Sequence, residues 1–343
     1  MNPLRSLDVE LPVIQAPMAG VQDEALAIAV SAAGGLGSMP CALLSHEQLE
    51  AALVRFSSIA RPINLNFFCH SMAEPDAGHE QRWRELLAPY YREFDVAAPA
   101  PTTAGARRPI DARTVDLLAQ FQPKVVSFHF GLPSMQLLRR IKDWGATVLS
   151  SATTPEEGTW LQRNGADMVI AQGNEAGGHR GDFLSTDAGP RLSTRELVTQ
   201  LSATLTLPIV AAGGISSRAD VEAMFDAGAC AVQAGTAYLL CPEATTTAVH
   251  RAALVQDDRD TAFTNLFSGR SARGIVNRLM RELGPLSEAP PPFPWASQAL
   301  APLRARAESL GRDDFTPLWS GTRPGTFRGQ DAASVTRALA GAG

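Results

Sequence analysis

The sequence predicts an α/β fold, a (β/α)8 TIM barrel with a small C-terminal helical domain. Three observations point there: eight short apolar, β-branched runs, a helical stretch after most of them, and surplus length. Strands buried on both faces read as continuous apolar runs, and parallel strands need crossover helices to join them. Eight such units in β–α order favour a closed barrel over an open, doubly wound sheet. With 343 residues the chain exceeds a barrel of about 250, which leaves room for an insertion or a small second domain.

The first strand is Val13–Met18, running into a Pro17–Gly20 turn. Leu36–Met39 and Ile63–Phe68 follow, their preceding helices opening near Asp23 and Ser45, both good N-cap residues. Residues 69–124 are too long for one βα unit. The stretches 82–96 and 111–120 within them look helical, so a helical insertion is expected. Val125–Phe130, Thr147–Ser151 and Met168–Gln172 are strands four to six, with helices opening near Pro133 and Thr154. Ile209–Ala212 and Ala231–Gln233 complete the eight, after helices opened by Ser193 and Ser217, the second closed at Gly228. Beyond them, roughly 245–284 reads as helical, a proline-rich hinge spans 289–294, and another helix lies near 298–310. The expected division is a barrel over 1–242 with its insertion at 69–124, a helical domain over 243–320 covering the active-site face, and a tail over 321–343.

Composition narrows the class of partner. At 45% hydrophobic residues there is ample material for a core, and a net charge of −5 argues against nucleic acid or an anionic membrane. Lysine occurs only at Lys124 and Lys142, so nearly all positive charge is arginine. Cys41, Cys69, Cys230 and Cys241 are scattered without metal-like spacing, and read as small apolar residues, not disulfides. The amino-terminal residues lack the apolar run of a signal peptide, and no stretch approaches the roughly 18 apolar residues of a membrane span. A cytoplasmic setting and a small-molecule substrate are expected, with a homodimer compatible.

In barrel enzymes the chemistry sits at the C-terminal ends of the strands, and phosphate sites favour the loops after strands seven and eight. Strand seven ends in Gly213-Gly214 just before a helix start, where backbone can approach an anion closely. Strand eight ends in Gly235-Thr236, again a glycine and a hydroxyl. Two such turns on adjacent strands point to a phosphate between them. Strand six ends in Gln172, suited to the edge of a heterocycle, then Gly177-Gly178, which let a ligand lie against the backbone. His179 follows on this glycine-rich loop, where an imidazole is placed to deprotonate a weak carbon acid or bond an oxyanion. His129, between Phe128 and Phe130, faces the barrel interior or mouth, either as a ligand contact or as a bonded core histidine. Asn66 is the better-placed polar ligand of strand three, and His70 beyond it is a loop residue that reads equally as solvated. The Pro17–Gly20 turn can lay backbone against a planar ring. Arg270 and Arg273 read as anchors of the helical domain, with an anion contact as the alternative.

These segments together resemble a known family. Gln15–Gly20, Ala33–Gly37, Ser127–Pro133, Gln172–His179, Ala211–Ile215, Val232–Thr236 and Phe267–Gly274 resemble, in order, motifs of the nitronate monooxygenases, formerly called 2-nitropropane dioxygenases. The resemblance implies non-covalently bound FMN, touched by Met18, Asn66, Gln172, Gly177, Gly214, Gln233, Gly235 and Thr236. It implies that His179 matches the catalytic histidine and that His129 lies close to substrate. The implied reaction is oxidation of alkyl nitronates, such as propionate 3-nitronate, by O2 to a carbonyl compound and nitrite, with one electron passing to the flavin. Near Leu318–Gly325 the chain has Ser320 and Thr322 where the family has Ala and Gln. The other readings of the same scaffold are an NAD(P)H-dependent FMN reductase of the quinone or enoyl-acyl-carrier-protein type, a flavin-binding protein without turnover, and a flavin-free phosphate-sugar barrel.

Overall fold

The computed structural model describes residues 3–100, 107–185 and 191–342. Its elements run β1 (Val13–Gln15), α1 (Glu24–Ala32), β2 (Gly37–Pro40), α2 (His46–Ser57), β3 (Ile63–Phe68), α3 (Ala77–Glu93), α4 (Ala112–Phe121), β4 (Val125–His129), α5 (Met135–Asp143), β5 (Thr147–Ala152), α6 (Pro155–Arg163) and β6 (Met168–Gln172). They continue with β7 (Gly178–His179), α7 (Thr194–Thr204), β8 (Ile209–Ala212), α8 (Arg218–Asp226), β9 (Ala231–Ala234), α9 (Ala248–Leu254), β10 (Thr261–Thr264), β11 (Ala272–Ile275), α10 (Arg278–Glu282), α11 (Ser297–Ser309) and α12 (Ala332–Ala340).

Eight parallel strands form one sheet in the order β1-β9-β8-β6-β5-β4-β3-β2. Backbone bonds from Leu36 N to Val13 O and from Gln15 N to Leu36 O, both 2.9 Å, close it into the expected TIM barrel. The interior is packed with Ile14, Leu36, Leu149, Ile170 and Val210, while Leu4 and Val9 of the amino-terminal segment plug its lower end. The helix starts follow the sequence: Asp23, Ser45, Thr154, Ser193 and Ser217 each accept a first-turn N–H with their side chains. Two strands end sooner than their apolar runs suggest. β1 stops at Gln15 because Pro17, lacking an N–H, cannot extend a ladder. β4 stops at His129 because Phe130 takes φ +69, a left-handed turn that breaks the pairing.

The largest differences from expectation lie in the C-terminal third. The span 245–284 is not continuous helix: β10 and β11 form a hairpin, and β11 pairs antiparallel with β7. Residues 321–343 are more than a tail. α12 packs between α8 and α1, with Val335 and Leu339 fully buried and the Tyr238 hydroxyl 3.0 Å from Thr336 Oγ1. It is the helix that belongs to strand eight, displaced by some ninety residues of inserted chain, a separation no local pattern reveals. Nor does 69–124 stand alone. Trp83, Leu87, Tyr90 and Tyr91 of α3 share one apolar core with Leu279, Leu300, Leu303 and Phe315. Trp83 Nε1 donates to Ala296 O at 3.2 Å and Tyr91 to Ala299 O at 2.7 Å, so the two insertions form a single cap over one barrel face.

No described helix is long and apolar enough to cross a membrane. Because α12 closes the helical ring, Leu339→Ala should destabilise the whole barrel by about 2–5 kcal/mol. A urea unfolding midpoint unchanged from the parent would show that α12 is a dispensable appendage.

Candidate active site

A cleft of about 1350 Å³, open to solvent on one side, lies at the C-terminal ends of the strands. Met18, Asn66, His129, Gln172, Gly177, Gly178, His179, Gly213, Gly214, Gln233, Gly235 and Thr236 all line it, as the sequence led us to expect, whereas His70, Arg270 and Arg273 do not. The sequence missed Arg107, Phe68, Ser151, Trp319 and the Gly321–Arg323 strap, which line it as well.

At one end stand the two glycine turns. Gly213 has φ +126 and Gly214 φ +70, and a Cβ on Gly213 would fall 2.6 Å from Thr194 Oγ1. Backbone direction and space both exclude a side chain there. Glu175 fixes the turn from beneath, accepting from Thr194 N and Oγ1 at 2.8 Å each, and this sets Thr194 Oγ1 against Gly213, 3.1 Å from its carbonyl oxygen. The amino terminus of α8 follows directly, capped by Ser217. Thr236 Oγ1 accepts the Gly321 N–H at 2.8 Å, which leaves its own proton to donate into the cleft. Arg323, at the rim, pairs with Asp220 at 2.9 Å. Two approachable glycine turns, a helix amino terminus, a hydroxyl donor and an arginine suit a phosphate.

Between the ends lies a polar edge. Gln233 Oε1 is buried in the cleft wall with no hydrogen-bond donor among the described residues. A buried carbonyl oxygen left unpaired costs about 1–3 kcal/mol, which a ring N–H from a planar heterocycle would recover. Asn66 is held by its amide, which donates to Ser127 Oγ at 2.9 Å. Gln15, Gln22 and Ser38 lock the turn carrying Met18 through bonds of 2.7–3.0 Å. Gln172 lines the cleft and also ties its own wall together. Its Nε2 donates to His179 O at 2.9 Å and its Oε1 accepts from Gly181 N at 2.7 Å, so it staples the loop beyond β6.

The far end is built around His179. β7, only two residues long, pairs with Ala272–Arg273 of β11, so the second unit helps to hold this side chain. Its Nε2 lies 2.9 Å from Ser268 Oγ. When Ser268 donates its own proton to Arg270 O at 3.2 Å, it accepts from His179, and the imidazole proton then sits on Nε2 with a lone pair at Nδ1. Phe293 and Trp319 flank the ring at 5.4 and 5.5 Å. Burial, with Arg107 next, holds the His179 imidazole well below its ordinary range, so it is neutral near pH 7. His129 also lines the cleft, but its ring nitrogens contact Ser151 Oγ at 3.0 Å and His179 O at 3.1 Å. His70, expected as a loop residue, is buried, its ring 4.7 Å from that of Phe293.

Charge at this end is one-sided. Arg107 is partly buried in the cleft wall, and no carboxylate lies within ion-pair distance of it among the described residues. Desolvation, then Arg304, pushes its guanidinium down from the usual value. Arg270 and Arg273 serve as anchors instead and do not line the cleft. Arg270 lies 3.8 Å from Asp182 and over the Phe130 ring at 4.0 Å, and Arg273 donates to Asn174 O at 2.9 Å.

The model of one family, nitronate monooxygenase, matches residues 3–336. A nitronate monooxygenase of Pseudomonas aeruginosa is 39% identical over 98% of this chain and 97% of its own. One from Paraburkholderia phytofirmans is 36% identical over 97% and 92%. Among solved structures, the nitroalkane oxidase of Streptomyces ansochromogenes superposes with a TM-score of 0.89 at 35% identity, covering 98% of this chain and 96% of that one. FabK from Thermotoga maritima, at 23% identity and a TM-score of 0.70, shares the fold.

Two outcomes follow from this geometry. Gly213→Ala should cost about 1–3 kcal/mol from backbone strain alone, before the clash with Thr194 is added, and a wild-type denaturation curve would contradict that. Burial also lowers His70, His129 and His250 from 6.5 to about 4. Between those values the unfolded chain binds more protons than the folded one, so stability should fall as pH drops from about 6.5 to 4. Urea midpoints that stay flat across this window would show these histidines to be solvated.

Proposed function

The chain belongs to the nitronate monooxygenase family, and on that premise we propose that it is an FMN-dependent oxidoreductase of alkyl nitronates. It converts them, propionate 3-nitronate included, with O2 to a carbonyl compound and nitrite. The observation that carries the reading is the cleft's polarity: a phosphate cradle at one end, and a neutral histidine beside an uncompensated arginine at the other.

The residues fit FMN. Gly213, Gly214, Gly235, Thr236 and the start of α8 would hold its phosphate, with Gln233 and Asn66 at the ring edge and Met18, Gly177 and Gly178 against its faces. Bound FMN would supply single-electron redox chemistry between nitronate and dioxygen. The rest belongs to the chain. Arg107 attracts the nitronate anion to the end of the cleft that holds His179, where no carboxylate among the described residues offsets its charge. His179 offers Nδ1 as a base to a neutral nitroalkane. Facing a nitronate, the imidazole gives its Nε2 proton to solvent and takes one from solvent at Nδ1; the Ser268 hydroxyl then turns to donate to Nε2, and Nδ1–H bonds the anion. Phe68, Phe293 and Trp319 keep water from that contact.

His179→Asn should retain flavin but lower nitrite release from propionate 3-nitronate by about 10²–10⁴-fold. Unchanged turnover would remove His179 from the reaction. A Cβ on Gly235 meets Ala16 Cβ at 3.4 Å and Met18 Sδ at 3.5 Å, ordinary contacts that the fold tolerates. Gly235→Leu should therefore yield folded but colourless protein, and full flavin content in this variant would refute the phosphate assignment.

A further inference from the structure

The mechanism above leaves His129 without a task. A main-chain carbonyl can only accept, so the 3.1 Å contact between His129 Nε2 and His179 O fixes the His129 proton on Nε2. Nδ1 then carries the lone pair and accepts the Ser151 hydroxyl at 3.0 Å. Both nitrogens are spent on the protein, and neither remains for a substrate. A second observation concerns Gly181, whose φ is unremarkable for any residue. A Cβ there would fall 2.6 Å from His129 Cε1 and 3.0 Å from its Nδ1, so the chain two residues past His179 closes directly onto the His129 ring. Gln172 grips the same loop at both ends, donating to His179 O at 2.9 Å and accepting from Gly181 N at 2.7 Å. The ring itself is wedged against Phe130 at 4.5 Å.

We propose that His129, set in its Nε2–H form by the His179 carbonyl and backed at Nδ1 by the Ser151 hydroxyl, is a positioning residue that fixes the main chain of His179 and so aims that imidazole into the cleft. The inference rests on His179 as the reactive histidine. It places the specificity for nitronates elsewhere in the cleft and gives Ser151 a defined part, that of holding one tautomer. Moving the His129 proton to Nδ1 would set a lone pair against the His179 carbonyl, and turning the ring over would put Cε1–H there; either would release the loop on that side.

The test uses the flavin-loaded enzyme with His129→Ala, His129→Gln and Ser151→Ala. Loss of a positioning contact should lower kcat about 100-fold in His129→Ala, with KM for propionate 3-nitronate changed less than about threefold. His129→Gln, whose amide N–H can reach the carbonyl, should recover to within about tenfold of wild type. A rise in KM at unchanged kcat, or a glutamine variant no better than alanine, would overturn the proposal in favour of direct substrate contact. A second arm needs no substrate and survives misfolding of the alanine variant. Long-range ¹⁵N–¹H spectra of ring-labelled histidine should show His129 protonated at Nε2 in wild type, identified by its loss in His129→Gln, and mixed with the Nδ1–H form in Ser151→Ala. An Nδ1–H tautomer in wild type would overturn the assignment. If wild type released no nitrite from any nitronate, the functional reading would fail while this arm still decided the role of His129.

Discussion

A two-residue strand, Gly178 and His179, joins the barrel to its cap, and the reactive end of the cleft depends on that junction. They leave the sixth barrel strand, turn back and pair with Ala272–Arg273, so the main chain of His179 is held by a hairpin inserted after strand eight. Side-chain bonds complete the hold. Gln172 and His129 reach the His179 carbonyl from the barrel side, and Ser268 reaches its ring from the cap. A histidine gripped at carbonyl, ring and neighbouring N–H has little freedom to rotate away, and that preorganisation saves the entropy of orienting it at the moment of reaction.

Electrostatics then follows from burial. His179 and His129 are desolvated among aromatic rings and cationic neighbours, so both stay neutral near pH 7. The positive charge at this end falls to Arg107, which has no carboxylate partner among the described residues. A buried cation without its counter-ion is costly, and an anionic ligand offsets the cost. At the opposite end the polar atoms converge on a different anion, since the glycine turns, the α8 terminus and the Thr236 hydroxyl all present donors. The cleft thus suits two negative groups with a planar, hydrogen-bonding body between them, as the proposed function requires.

Much of this was legible in the sequence because barrel strands carry dense local signals. Runs such as Ile63–Phe68 and Met168–Gln172 announce themselves, and glycine pairs at strand ends mark where backbone meets ligand. What stayed hidden was non-local. α12 completes strand eight's unit only after the inserted cap. β7 is too short for any periodicity, and α3 joins a core assembled from residues some two hundred positions away. Gln172 and His129 were correctly placed at the cleft, but their partners lie on the same folded-back loop, which composition does not foretell. Arg107 had no signal at all, because its significance lies in a missing partner.

On the proposed function, this cleft carries a flavin that nitronates reduce. Anaerobic mixing of the purified protein with propionate 3-nitronate and, separately, with NADPH tests it most directly. The flavin absorbance should bleach with the nitronate and persist with NADPH. Rapid bleaching by NADPH with no response to the nitronate, or a colourless protein, would contradict the account.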